Sequence, residues 1–316
     1  MELGLNTSSL DTAIRDAQVA ERLGFDYLGC GEHLFFHGPM PNSFIQLAAA
    51  AGATTSIRLV SAITLLPLYP AALAGKLAAS LDIVSGGRFE LGVGAGGEYP
   101  AEFHAVGVDP ATRFRRMDEG LEILHRLFSG ETVDFDGEFA SLHDVTLDPA
   151  PLTPGGPRIW MGGRKPGAIR RAGRYADVFM PYMVEPSGLR RSLDAVDVAA
   201  VEAGREPGDV SGAAYLWTCV DPDGDWARKT GVDTVSRTYA QDFAPLADRY
   251  LALGTPEQVV DRVRQYADAG AGRVLFQIAA PPEHRDRVVA TLARDVVPQL
   301  RAGARPDPAD PVRADR

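Results

Sequence analysis

The chain is poor in the residues that would staple it or anchor it, and its basic residues, almost all arginine, are outnumbered by acidic ones. It has only two cysteines, Cys30 and Cys219. They form no disulfide framework and no C-x-x-C metal or redox pair, so buried free thiols are expected and no metal site is. Lysine occurs only at positions 76, 165 and 229. The formal net charge of −10 argues against a nucleic-acid groove or an anionic membrane surface as the main partner. No apolar stretch reaches the roughly eighteen residues of a membrane span. The opening MELGLNTSS has neither a basic n-region nor an apolar h-region. A soluble, cytoplasmic protein is the expectation.

What is present is a rhythm. Short apolar runs at 2–6, 26–31, 57–63, 88–94, 158–163, 177–182, 213–220 and 273–279 alternate with amphipathic segments. In the first such segment Ala13, Ile14, Ala17, Ala20 and Leu23 recur at helical spacing. Near the C-terminus Thr255 and Pro256 open a helix as N-cap and first residue, and Gly270 closes it. Eight β-α units in order predict a parallel sheet, and eight strands close a (β/α)8 TIM-like barrel. An open doubly wound sheet is the alternative. One domain over 1–302 is expected, followed by a Pro- and charge-rich tail, 303–316, expected to be disordered. Two inserts interrupt the pattern. Residues 130–157 follow the fourth helix. Residues 221–254 follow the seventh strand, where a lid over a barrel active site can form.

GRFELGVGAGG, residues 87–97, matches a dinucleotide fingerprint through Gly92, Gly94 and Gly97. That fingerprint requires a helix directly after the loop and an acidic residue ending the next strand. Here the loop runs into Pro100 and Pro110 with no clear helix start. The acids about twenty residues on, Asp118 and Glu119, lie in a helical stretch. A barrel strand opening into a glycine loop fits better, because missing side chains let the backbone approach a flat or anionic ligand. Gly162 and Gly163 end another strand, where their N–H groups can form an anion nest beside Arg164 and Lys165. His33 follows the second strand on the catalytic face and is a candidate proton donor or acceptor. Glu32 is placed either to orient it or to face solvent.

These residues carry a family resemblance. The segments AERLGFDYLGCGEH, PLYPAALAGKLAASLDIVSGGRFELGVGAGGEYPAEFHAVGVDPATRFRRMDEGLEILHRLFSGETVDFDGEFASL, PRIWMGG and GTPEQVVDRV occur in the order found in luciferase-like monooxygenases. The sequence resembles that superfamily of flavin- and deazaflavin-dependent enzymes over residues 1–300. The resemblance implies a barrel with the ring of the cofactor in its C-terminal mouth. His33 matches a histidine facing the active site. Ser61–Ala62 matches a position that often holds a non-proline cis peptide backing the ring. Gly94, Ala95, Gly96 and Gly97 match the loop beside the ring. Gly162 and Gly163, with Arg164, match the phosphate-binding turn.

The implied activity is a two-component monooxygenase. Reduced FMN from a partner flavin reductase would react with dioxygen, and His33 would move a proton at the substrate. Phe35, Phe36, Tyr69, Trp160, Tyr182 and Phe276 are expected to wall a pocket for an apolar organic substrate. The alternative is a coenzyme F420-dependent dehydrogenase or reductase. The basic run Arg164, Lys165, Arg170, Arg171 and Arg174 would then hold the cofactor's oligoglutamate tail, or else form a solvated helix face. A third possibility is a non-catalytic flavin-binding barrel. Family likeness also implies a homodimer. The deazaflavin-dependent sugar-phosphate dehydrogenases of the family have a Glu where Gly97 stands, a Trp where His37 stands and a phosphate-binding Lys where Glu185 stands. These departures argue against glucose 6-phosphate as substrate.

Overall fold

Eight parallel strands close on themselves in the computed structural model, which describes residues 1–7, 11–97 and 99–302. The strands are β1 (Glu2–Thr7), β2 (Tyr27–Cys30), β3 (Arg58–Ser61), β4 (Phe89–Gly94), β5 (Ile159–Met161), β6 (Val178–Phe179), β7 (Ser211–Val220) and β8 (Ala271–Ile278). Each pairs with the next in chain order, and β8 pairs with β1. The barrel and its eight expected strands are therefore present. The 303–316 tail lies outside the described residues. Among the described residues no helix is long and apolar enough to cross a membrane. Cys30 and Cys219 are buried free thiols.

The period of two in each strand decides what enters the barrel. At its N-terminal end, inward positions carry charge. Arg273 lies 2.9 Å from Glu2, Arg58 pairs with both Glu2 and Glu90, and Tyr27 donates to Glu90 at 3.0 Å. Trp160 also donates its indole N–H to Glu90. Above this layer Tyr27, Val60, Trp160, Val178, Met180, Ala213 and Leu275 form a small apolar core. The barrel is thus filled from below, and its cavity opens at the C-terminal ends of the strands.

Of the inserts, 130–157 contains an antiparallel hairpin, Val133–Asp136 with Ser141–Val145. The other forms the helix Gly224–Tyr239 and a short strand, Ala252–Gly254, that pairs with the end of β7. The helix Pro256–Asp268 opens with a capping box in which Thr255 and Gln258 satisfy each other's backbone N–H groups.

Helix Ala13–Arg22 is tied to the loop before β3 by one carboxylate. Glu21 accepts from the N–H groups of Ser56 at 2.6 Å, Thr55 at 2.8 Å and Ile57 at 3.1 Å. Burial acts to raise its pKa, but the donors on Ser56, Ile57 and Thr55 outweigh it and hold the group at about 2 against an ordinary 4.5. A depressed carboxylate contributes stability that is present above the unfolded pKa and is lost as pH falls through the folded one. Glu21→Gln is therefore expected to flatten the decline in urea midpoint between pH 4.5 and 2. An acid limb as steep as that of the native chain would remove Glu21 from this role.

Candidate active site in the barrel mouth

A cavity of about 920 Å³ occupies the C-terminal mouth. Ligand pockets span about 300–1,000 Å³, so the space suits a cofactor and a substrate together. One side is rich in glycine and alanine. Ala62, Gly94, Ala95, Gly96, Gly162 and Gly163 line it. Here the glycine pattern is explained by packing within the barrel. A Cβ on Gly92 would lie 1.8 Å from the Ser61 carbonyl oxygen, and one on Gly94 would lie 1.9 Å from Ile63 Cδ1. The glycines of β4 admit the end of β3 and the Ile63 side chain, which together form this wall.

The cis peptide belongs to that wall, one bond further along than expected. It joins Ala62 to Ile63, and Ser61–Ala62 is trans. Ser61 is held inside the sheet, its hydroxyl donating to Gly92 O at 2.8 Å and accepting from Gly92 N at 2.9 Å. It does not line the cavity, and neither does Gly97.

At the β5 end, Gly162, Gly163, Arg164 and Lys165 lead into the helix Pro166–Tyr175. Gly163 has φ +119, and a Cβ there would meet Ala168 Cβ at 2.5 Å. The turn therefore exposes backbone at a helix N-terminus, where N–H groups and the helix dipole favour an anion. Of the basic run, Arg171 is already engaged with Asp118, whereas Arg164 and Lys165 are exposed at the cavity edge.

His33 borders the cavity and stacks on Phe36, ring centroids 4.3 Å apart. Its partner is Glu102, absent from the sequence-based candidates. Glu102 is fully buried and lies 3.2 and 3.3 Å from His33 Nδ1 through its two carboxylate oxygens. The Leu34 N–H donates to the same carboxylate at 3.1 Å. A carboxylate only accepts, so Nδ1 carries the proton and Nε2 is the nitrogen left for a ligand. Glu32 neither orients His33 nor faces solvent. It is buried and accepts from the backbone N–H groups of Ser43 and Leu65, at 3.0 Å each.

The expected aromatic pocket divides. Phe36 and Tyr182 line the cavity. Phe35 is instead exposed outside it. Tyr69 donates to Glu32 at 3.2 Å. Trp160 sits in the barrel core, and Phe276, at an outward position of β8, packs in the layer between barrel and helices. Three aromatics take their place: Tyr215 and Trp217 from β7, and Tyr239 from the helix Gly224–Tyr239. Trp217 donates its indole N–H to Tyr182 at 3.0 Å, and the Tyr182 and Tyr239 hydroxyls share a hydrogen bond. Burial, then the neighbouring Tyr239, pushes the Tyr182 phenol well above its ordinary pKa, so the wall stays neutral.

A closed barrel with a glycine- and alanine-rich wall, a glycine turn at a helix N-terminus and a carboxylate-held histidine in its mouth fits a flavin- or deazaflavin-dependent oxidoreductase. A family model described as luciferase-like monooxygenase matches residues 2–273, and the chain belongs to that family. It is 30% identical to the 4-hydroxyprotoasukamycin monooxygenase of Streptomyces nodosus subsp. asukaensis, over 90% of this chain and 86% of that one. It is 27% identical to an F420-dependent glucose-6-phosphate dehydrogenase of Nocardia farcinica, over 96% and 98%. The crystal structure of monooxygenase RslO1 from Streptomyces bottropensis superposes with a TM-score of 0.83 at 25% identity, covering 95% of this chain and 99% of that one. The residues present suit such a cofactor: glycine and alanine backbone on one side is open to a planar ring, and the Gly163 turn, which packs so closely on Ala168 that only glycine fits, presents backbone at a helix N-terminus that suits a phosphate.

Proposed function

We propose that the chain is a monooxygenase that takes reduced FMN from a separate flavin reductase and oxidises an apolar organic substrate with dioxygen. The aromatic wall carries this proposal. Opposite the glycine side, Phe36, Tyr182, Tyr215, Trp217 and Tyr239 enclose a volume suited to a hydrophobic body. Glu185, in place of a phosphate-binding lysine, is itself an anion paired with Arg249 at 3.1 Å. Bound reduced FMN supplies the activation of dioxygen. The chain would bind and orient it: Gly162 and Gly163 would donate backbone N–H groups to its phosphate, and Ala62, Ile63, Gly94, Ala95 and Gly96 would support its ring. The aromatic wall excludes water. Glu102 holds the His33 tautomer, and Nε2 accepts or returns a proton at the substrate.

The exposed Arg164, Lys165 and Arg237 at the cavity edge favour a second reading, in which an F420 oligoglutamate tail lies along them. Equilibrium titration with FMN and F420, each oxidised and reduced, separates the two. Tighter binding of reduced FMN than of either F420 form supports the monooxygenase, and the reverse order overturns it. The dimer is proposed on a different face. The helix Ser43–Ala53 exposes Ile45, Ala48, Ala49 and Gly52 without a charge among them. Sedimentation at micromolar concentration is expected to give twice the chain mass, and a monomer would overturn the dimer.

A further inference from the structure

The floor of the cavity differs from both of its walls. Asn6, Tyr215 and Gln277, inward positions of β1, β7 and β8, meet there. Asn6 Nδ2 donates to Gln277 Oε1 at 2.6 Å and to the Tyr215 hydroxyl at 3.1 Å, and that hydroxyl donates to the same Gln277 oxygen at 2.9 Å. Both donors thus converge on Gln277 Oε1, and Gln277 Nε2 is left to face the cavity. Reversing both amides would move the unpaired buried atom of Asn6 from a carbonyl to an NH2. At present Asn6 Oδ1 is unpaired, against Gly29, where a Cβ would lie 2.6 Å away. A stranded NH2 has two donors to lose and a stranded carbonyl is the better tolerated, so the present orientation is preferred. Arg285 completes the floor. It gives one N–H to Asn6 O at 3.2 Å, and its Nε lies 3.6 Å from buried Asp16. The remaining guanidinium donors border the cavity.

The groups that this floor leaves facing the cavity, Gln277 Nε2 and the outer guanidinium nitrogens of Arg285, are donors. We propose that Gln277 Nε2 and Arg285 form a subsite that grips one acceptor oxygen, ketone or carboxylate, of an otherwise apolar substrate. This rests on the proposal that the aromatic cavity receives the substrate. It adds that the substrate is an oxygenated molecule held by that oxygen at the barrel floor, with its apolar body against Tyr182 and Trp217.

The test uses acetophenone, benzoate and ethylbenzene as probes, with dissociation constants measured by saturation-transfer NMR in the presence and absence of FMN. Acetophenone or benzoate is expected to bind about tenfold more tightly than ethylbenzene, the upper end of a net hydrogen bond's ordinary worth. Gln277→Glu keeps the acceptor used by Asn6 and Tyr215 and replaces only the donor. It should erase the advantage of the oxygenated probes and leave ethylbenzene unchanged. Arg285→Gln should weaken benzoate more than acetophenone, because the carboxylate loses a charge-assisted contact and the ketone a weaker one. Equal binding of all three probes by the native chain would overturn the subsite, as would an advantage that survives Gln277→Glu. If that variant does not fold, an advantage untouched by Arg285→Gln overturns it. A chain that ignores FMN but still prefers acetophenone would refute the monooxygenase and leave the subsite standing.

Discussion

A chain carrying His33→Asn should bind cofactor nearly as the native chain does and turn over about 10²–10⁴-fold more slowly, the usual loss for one acid–base group. The side chain keeps comparable size and polarity but cannot exchange a proton near neutral pH. Cofactor affinity should survive because the ring wall and the phosphate turn are built from other segments. Glu102→Gln is the companion. An amide can donate to Nδ1 as well as accept from it, so the tautomer is no longer fixed, and a smaller loss of turnover is expected with His33 still in place. Steady-state rates per folded molecule, with a binding titration, check both. If His33→Asn costs about 1–3 kcal/mol of stability, as ordinary damaging substitutions do, while its rate per folded molecule stays normal, His33 is a packing residue and the assignment fails.

Gly163→Val is expected to remove cofactor binding, with affinity falling about 100-fold or more as two charge-assisted N–H contacts to the phosphate are lost. The cause is local. At φ +119 an L side chain is strained, and its Cβ would collide with Ala168 in the first turn of the helix that follows. The milder Gly162→Ala tests the same turn without that strain, since its Cβ would come no closer than 3.3 Å to Met180 O. A weaker loss, about tenfold, should accompany an unchanged unfolding midpoint. Full affinity in both folded variants would place the phosphate elsewhere.

The eight strands were legible because each is a short apolar run between helical patterns, and a barrel needs no more than their order. The aromatic pocket was less legible because a strand shows each face only to every second residue. Gln277 and Phe276 are adjacent in sequence and lie on opposite sides of the β8 wall. Nothing in an isolated run fixes which parity points inward, since both faces of a barrel strand are covered. Glu102 was missed for another reason. Pro100 reads as a breaker after the glycine loop, yet it is the first residue of a short helix, Pro100–Ala105, a position where proline is well tolerated. That helix turns a carboxylate back onto a histidine 69 positions away. The cis bond was displaced by one residue because Ser61 still belongs to β3 and the wall begins only after it.

The helix Gly224–Tyr239 contributes Thr234, Arg237, Thr238 and Tyr239 to the cavity but supplies none of the eight barrel strands. The groups assigned to the cofactor and to proton transfer lie instead just beyond strand ends and, for Glu102, on the short helix Pro100–Ala105. One part of the proposed substrate pocket therefore has its own address in the chain, apart from the residues assigned to chemistry. Thr234 and Thr238 can drift in size without crossing the β4 glycines or the His33–Glu102 pair. A lineage descended from this protein could acquire new substrates through one surface helix while inheriting its chemistry intact.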